Sequence, residues 1–237
     1  MALKPIPVIH KWRLAGSRSM GLFDFLPARR LRGGPTLLLP ASVPPRTVLE
    51  TVRLHSPQAH PRGRSIVVDE SVRLRGPVPV HRGLALAARL PVGWPVAYTA
   101  EQRDPEGETD PAAIVAGLAA RLGGLACPHP PERSPDLFSV TGRALPAERL
   151  AELLPGTRPQ RLPGIDLTLL RSGHSPLEIS FCGGDDGETD YEVSLRRGPS
   201  TPAVVEAAER LAIAIAEASG GVLRDQHGFR VPLPVRC

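Results

Sequence analysis

Lysine is nearly missing from this chain, aromatic residues make up only 4% of it, and cysteine occurs three times. Each shortage excludes something. With two tryptophans, two tyrosines and five phenylalanines, the core has to be built from leucine, valine, isoleucine and alanine. Modules that stack the bases of single-stranded nucleic acid need several aromatics, so such a partner is not expected. Cys127, Cys182 and Cys237 are odd in number, far apart and outside any CxxC. They give no disulfide framework and fit a reducing, cytoplasmic setting. No apolar run approaches the ~18–20 residues that a membrane helix needs, and the N-terminus lacks the continuous apolar stretch of a secretory signal. Phosphate-loop, dinucleotide-loop, nucleophile-elbow and HExxH patterns are all missing.

What is present begins with an uneven charge. The chain of 237 residues has a formal net charge of +5. Residues 1–34 hold seven bases (Lys4, Lys11, Arg13, Arg18, Arg29, Arg30, Arg32) against Asp24, so the other 203 residues are close to neutral. The high isoelectric point therefore belongs to the tail, and the body lacks the general charge of a nucleic-acid binder. A local exception is 42–90, with eight arginines against three acids. Segment 1–34 reads as a basic, disordered tail, with Met20 as an alternative start. Weak contact with an anionic membrane surface through Gly21–Leu26 and the arginines after it is a second reading, and a transit peptide a third. Pro27 counts against a helix there.

Two helices are the clearest elements. Asp110 and Pro111 open one, with Ile114, Val115, Leu118, Ala119 and Leu122 on one face and Gly123-Gly124 as its stop. Thr201 and Pro202 open the other, with Val204, Val205, Ala208, Leu211, Ala212 and Ile215 on its face and Gly220-Gly221 as its stop. Both lead into short apolar runs. Upstream of each lies an apolar run followed by a second helix: 36–39 then 46–54, and 137–140 then 147–154. Further strands are expected at 65–68, 84–90 and 96–100, at 166–170, 177–181 and 191–195, and as a terminal pair around an Asp225–Gly228 turn; 84–90 reads as a helix as easily as a strand. The tetrapeptide Gly-Glu-Thr-Asp occurs at 107–110 and again at 187–190.

The pattern is β-α-β-β-α-β, given twice. It predicts an α+β protein of two tandem ferredoxin-like (βαββαβ-type) halves, antiparallel sheets with helices on one face. The boundaries fall at 35–127 and 136–237, joined by a Pro-rich linker over 128–135.

Chemistry-bearing clusters are few. Asp185, Asp186, Glu188 and Asp190 form the densest acidic run and a candidate ligand site, although a solvated hairpin tip explains the same alternation. Trp94 and Tyr98, at i and i+4 of a strand, form a candidate ligand platform, with packing on the 111–122 helix as the commoner reason for such residues. Cys182 near His174 and the Cys127-Pro-His129 step lack the partners that catalysis or zinc requires. Neither a cofactor nor a metal is expected. These readings point to a non-catalytic binding or interaction protein, holding a partner protein or a small ligand between its halves. The alternative is an enzyme whose site is assembled at the interface, from the acids at 185–192 and the arginines at 62–89.

Overall fold

The computed structural model describes residues 22–107, 109–128, 136–183 and 187–234, with the side chains of 22–25 and 136 outside that description. The Pro-rich segment beyond Pro128 and the pair Asp185 and Asp186 thus lie outside the described residues. The fold is α+β, with six helices and two antiparallel six-stranded sheets.

The first half runs α1 (Leu22–Leu31), β1 (Thr36–Leu39), α2 (Pro45–His55), β2 (His60–Pro61), β3 (Ser65–Val67), β4 (Val72–Pro79), α3 (Arg82–Ala88), β5 (Val96–Gln102), α4 (Pro111–Leu122) and β6 (Leu125–Cys127). The second runs β7 (Asp136–Arg143), α5 (Ala147–Leu153), β8 (Thr157–Arg161), β9 (Thr168–Ser172), β10 (Leu177–Gly183), β11 (Glu188–Leu195), α6 (Pro202–Ser219) and β12 (Val222–Asp225). The first sheet has the order β2-β3-β4-β5-β1-β6, the second β8-β9-β10-β11-β7-β12. Position for position the succession is the same: each half places its last strand beside its first, then the strand before its last helix.

The helix stops explain how that last strand gets in. Asp110 Oδ1 accepts from Ala112 N at 2.8 Å, and Gly123 closes α4 in the left-handed region at φ 62°. Thr201 caps α6, and Gly220 closes it at φ 65°. The second glycine of each pair then passes against the first strand of its half, β1 or β7. A Cβ on Gly124 would stand 2.5 Å from Leu38 O, and one on Gly221 2.6 Å from Thr141 O. Only glycine allows both approaches, and the two contacts fall at matching places in the two sheets: Leu38 pairs with Leu125, Thr141 with Val222.

The two Gly-Glu-Thr-Asp copies do not match in this way. One lies in the loop that enters α4, the other at the turn into β11.

Several expectations are corrected. Residues 22–31, assigned to a disordered tail, form a helix whose Ala28 and Leu31 are 1% and 3% exposed. Of the two readings of 84–90 the helical one holds, over Arg82–Ala88: Leu84, Ala85 and Ala88 bury one side while Leu86 is 61% exposed, a helical and not a strand period. The strand in that part of the first half is β4, whose arginines and prolines obscured its alternation. Helices cover only one face of the second sheet, but both faces of the first. The reason is the run Leu37-Leu38-Leu39: Leu37 and Leu39 face α2 and α4, and Leu38 faces α1 and α3. A strand apolar on both sides needs two covers. The second sheet alternates instead, with Thr189, Tyr191 and Val193 inward and Glu188, Asp190 and Glu192 in solvent.

Candidate binding site at the seam between the halves

The halves meet through the end of the chain. After β12 the backbone turns over Gln226–Gly228 and comes back, with Asp225 N donating to Phe229 O at 2.9 Å and Val231 N to Leu223 O at 3.0 Å. Asp225 organises the turn: its Oδ1 accepts from His227 N at 2.9 Å and Phe229 N at 3.0 Å.

This hairpin belongs to the second sheet, yet its Phe229 is fully buried in the core of the first half. The ring occupies a slot over Gly117 of α4, where a Cβ would come within 2.3 Å of Phe229 Cε2. The Arg121 guanidinium lies 4.5 Å above the ring centroid, and the His55 ring meets it edge-on at 5.1 Å. Arg121 also pairs with Asp225 Oδ2. The second half closes α2 as well: Arg230 N donates to Leu54 O at 2.8 Å and Arg224 Nη1 to His55 O at 3.3 Å, satisfying two carbonyls that the helix end leaves open.

Charge and burial leave one group poised here. His55 Nδ1 is buried without a hydrogen-bond partner. Burial, then the Arg224 charge, lowers the His55 pKa, with Asp69 and Asp225 opposing. Asp69 itself lies in the turn between β3 and β4. Burial raises its pKa, but hydrogen bonds outweigh that and hold it below the usual carboxylate value. They come from the Thr109 and Ser71 hydroxyls and from the Val72 and Ser71 amides.

Beside this junction opens a groove of about 410 Å³. Leu54 and Arg121 line it from the first half. Leu137, Phe138, Val205 and Val231 give it an apolar floor from the second, and Glu209, Asp225 and Arg230 add charge. Since Asp225 pairs with Arg121, the charges left over are Arg230 and Glu209, one of each sign. The volume lies in the range of small-molecule sites, and an apolar lining with a few polar groups is their usual composition.

The residues singled out from sequence lie elsewhere. Tyr98 is 1% exposed and belongs to the core under α2 and α4. Trp94 precedes β5 and packs on the α3 side of the sheet. The two therefore share no face, because Trp94 lies outside the strand whose period would have aligned them. Glu188 and Asp190 stand on the helix-free face of the second sheet, where Thr141 Oγ1 donates to Asp190 Oδ1 at 2.7 Å. Cys182 and His174 are separated by most of β10, about 16 Å at ~3.3 Å per residue. Among the described residues no group of three or more His, Cys, Asp or Glu is placed to hold a metal ion, and no helix is long and apolar enough to cross a membrane. The arginines at 62–89 and the acids at 188–192 do not line the seam groove.

Sequence reasoning missed Leu54, Arg121, Val205 and Arg230. One signal was available: Gly117 in the middle of an otherwise strong helix, where an isolated glycine marks a close approach. Comparison of the chain with protein-family models, with curated proteins and with solved structures finds no match.

Proposed function

We propose that this chain is a non-catalytic binding protein that holds a small ligand in the groove between two related halves. The observation that carries the reading is that groove: its walls come from both halves, and a buried aromatic anchor fixes their spacing. A site held by interlocked elements is preorganised, which lowers the entropy cost of binding.

We further infer that the halves are tandem ferredoxin-like units. The matching strand succession, with the last strand beside the first, supports this. So do the paired helix stops, where Gly124 and Gly221 press on equivalent strands, β1 and β7. The fold hosts many functions, so the reading of the site rests on the groove alone. The unpaired thiols of Cys127 and Cys182 suit a cytoplasmic setting.

The lining favours a ligand with an apolar body and a polar end, the body on Phe138 and Val205 and the end at Arg230 or Glu209. The test is thermal unfolding of the full chain against a panel of amphipathic metabolites. Saturation at 100 times the dissociation constant stabilises by about 2.7 kcal/mol, which raises the midpoint by roughly 5–11 °C at this chain length. Val205→Glu, at the groove wall, is expected to abolish the shift. A shift that survives Val205→Glu undiminished would place the ligand elsewhere. A flat panel, with a protein captured by wild type and lost in Val205→Glu, would replace the small ligand with a protein partner at the same groove.

A further inference from the structure

The other face of the first sheet carries a second groove, which the seam does not use. Helices α1 and α3 cover the sheet over β1 and β5, and a space lined by Arg64, Ser65 and the Arg75–Pro79 part of β4 opens beside α1. The space between is about 320 Å³. Three arginines from three elements converge on it: Arg30 from the last turn of α1, Arg64 from the turn before β3, and Arg75 from β4. The lining holds one carboxylate, Glu101, and it is taken up by Arg75 through Nε. Arg30 and Arg64 have no carboxylate partner among the described side chains.

The backbone around these arginines is shaped to present them. The pairing of β4 with β5 slips between Arg75 and Val78, so Gly76 and Pro77 bulge out of the ladder at the groove. Such bulges re-aim neighbouring side chains and recur beside binding sites. Gly76 is required there: its φ is 148°, and a Cβ would stand 2.7 Å from Ala97 O. Its N–H donates to Arg64 O at 3.0 Å, which ties the Arg64 turn to the bulge. Ser65 and Thr99 belong to the lining as well, with the Thr99 hydroxyl 3.4 Å from Thr36 Oγ1. Arg73 lies two residues before Arg75, on the same face of β4, and keeps a buried Nε without a hydrogen-bond partner. It adds positive potential behind the site.

We infer that this groove between α1 and β4 is an oxyanion site that takes the phosphoryl group of a small organic phosphate. A carboxylate offers two oxygens, which one guanidinium fork can satisfy. Guanidiniums arriving from three directions instead match the several oxygens of a phosphoryl group. The volume admits a phosphate with a short organic residue and not an extended polymer.

The probe is inorganic pyrophosphate, titrated calorimetrically into the full chain at constant ionic strength, with malonate as a carboxylate of matched size. Pyrophosphate is expected to bind saturably, and more tightly than malonate. Arg64→Ala and Arg30→Ala should each weaken it by about tenfold or more while leaving the melting temperature without ligand unchanged. Arg158→Ala removes an exposed arginine of the second half and serves as the charge control; it should bind as wild type does. Val205→Glu should also bind pyrophosphate normally, which separates this site from the seam. The inference is overturned if Arg158→Ala weakens pyrophosphate as much as Arg64→Ala, since binding would then be general charge attraction. Equal affinity for malonate, or no saturable binding, overturns it too.

Discussion

If Phe229 is the peg that joins the halves, its removal has a size and a signature that can be worked out in advance. The ring is fully buried in the core of a half it does not belong to. Truncating such a residue to alanine costs about 3–5 kcal/mol, from lost transfer energy and the cavity left behind. For a chain of this length that lowers the melting midpoint by roughly 6–20 °C. The signature comes from Gly117. In wild type an alanine at 117 gains about 1 kcal/mol of helix propensity but drives a Cβ to 2.3 Å from Phe229 Cε2. Overpacking of that kind costs about 1–3 kcal/mol, so Gly117→Ala is destabilising on balance. In the Phe229→Ala background the ring is gone and the clash with it disappears, while a Cβ at 117 still stands 2.8 Å from His227 Cβ, so only the ring's share of the cost is relieved. The two changes are therefore strongly non-additive, with a coupling of about 2 kcal/mol. Urea denaturation of the four proteins in a Trp12→Phe background, followed by far-ultraviolet circular dichroism and by the fluorescence of the remaining Trp94, measures it. Phe229→Ala should also separate the two signals, because the first half loses its peg while the second keeps its own core. Additivity within about 0.5 kcal/mol, or a Phe229→Ala cost below about 1 kcal/mol, would refute the peg.

Other perturbations read different parts of the molecule. The pKa of His55 is lowered in the fold, so the unfolded chain binds the extra proton first as pH drops. Its contribution to stability is whole above the unfolded value of about 6.5 and is lost as pH falls through the folded one. The urea midpoint should decline between pH 7 and pH 5, and His55→Gln should flatten part of that decline; an unchanged slope would clear His55 of the effect. Tyr191 Oη accepts from Leu145 N at 2.7 Å and donates to Arg143 O at 2.9 Å. Tyr191→Phe leaves both backbone groups without that partner and should cost about 1–3 kcal/mol, measured by chemical denaturation. Asp69→Ala removes the acceptor that joins the turn before β4 to Thr109 and should cost about 1–2 kcal/mol. Because the folded pKa of Asp69 is depressed, its stabilisation is present above about pH 3.8 and is lost below it. The wild-type advantage over Asp69→Ala should therefore shrink in acid.

What could be read along the chain was local. Helices α4 and α6 were legible because cap, proline, apolar face and glycine stop all fall within one short stretch, and each acts over a few residues. Strands β9, β10 and β11 of the second half were legible because their sheet has one wet face, which writes a two-residue period into β11, whereas β8 at Thr157–Arg161, an exposed edge strand, was not expected. The first half was harder for a physical reason. A strand covered on both sides carries no alternation, so Leu37–Leu39 could not announce two layers of helices. In β4, Arg73, Arg75 and Pro77 take the outward positions and look like interruptions, although they are the polar half of the strand period. Helix α1 was hidden behind Pro27 and a run of arginines, and it is held by the burial of Ala28 and Leu31 against a neighbouring helix.

The candidate sites were almost wholly tertiary. Leu54, Arg121, Phe138, Val205 and Arg230 span most of the chain and meet because a terminal hairpin crosses into the other half. Arg30, Arg64 and Arg75 line one groove because α1 packs beside the sheet near β4. The sequence by itself determined the α+β class, the aliphatic core, the helix ends and the turn at Asp225–Gly228, since each follows from capping, periodicity or backbone freedom over a few residues. Only the tertiary structure decided which half receives Phe229, which arginines converge and which sheet is covered twice, because those depend on contacts between residues far apart in sequence, which no local pattern records.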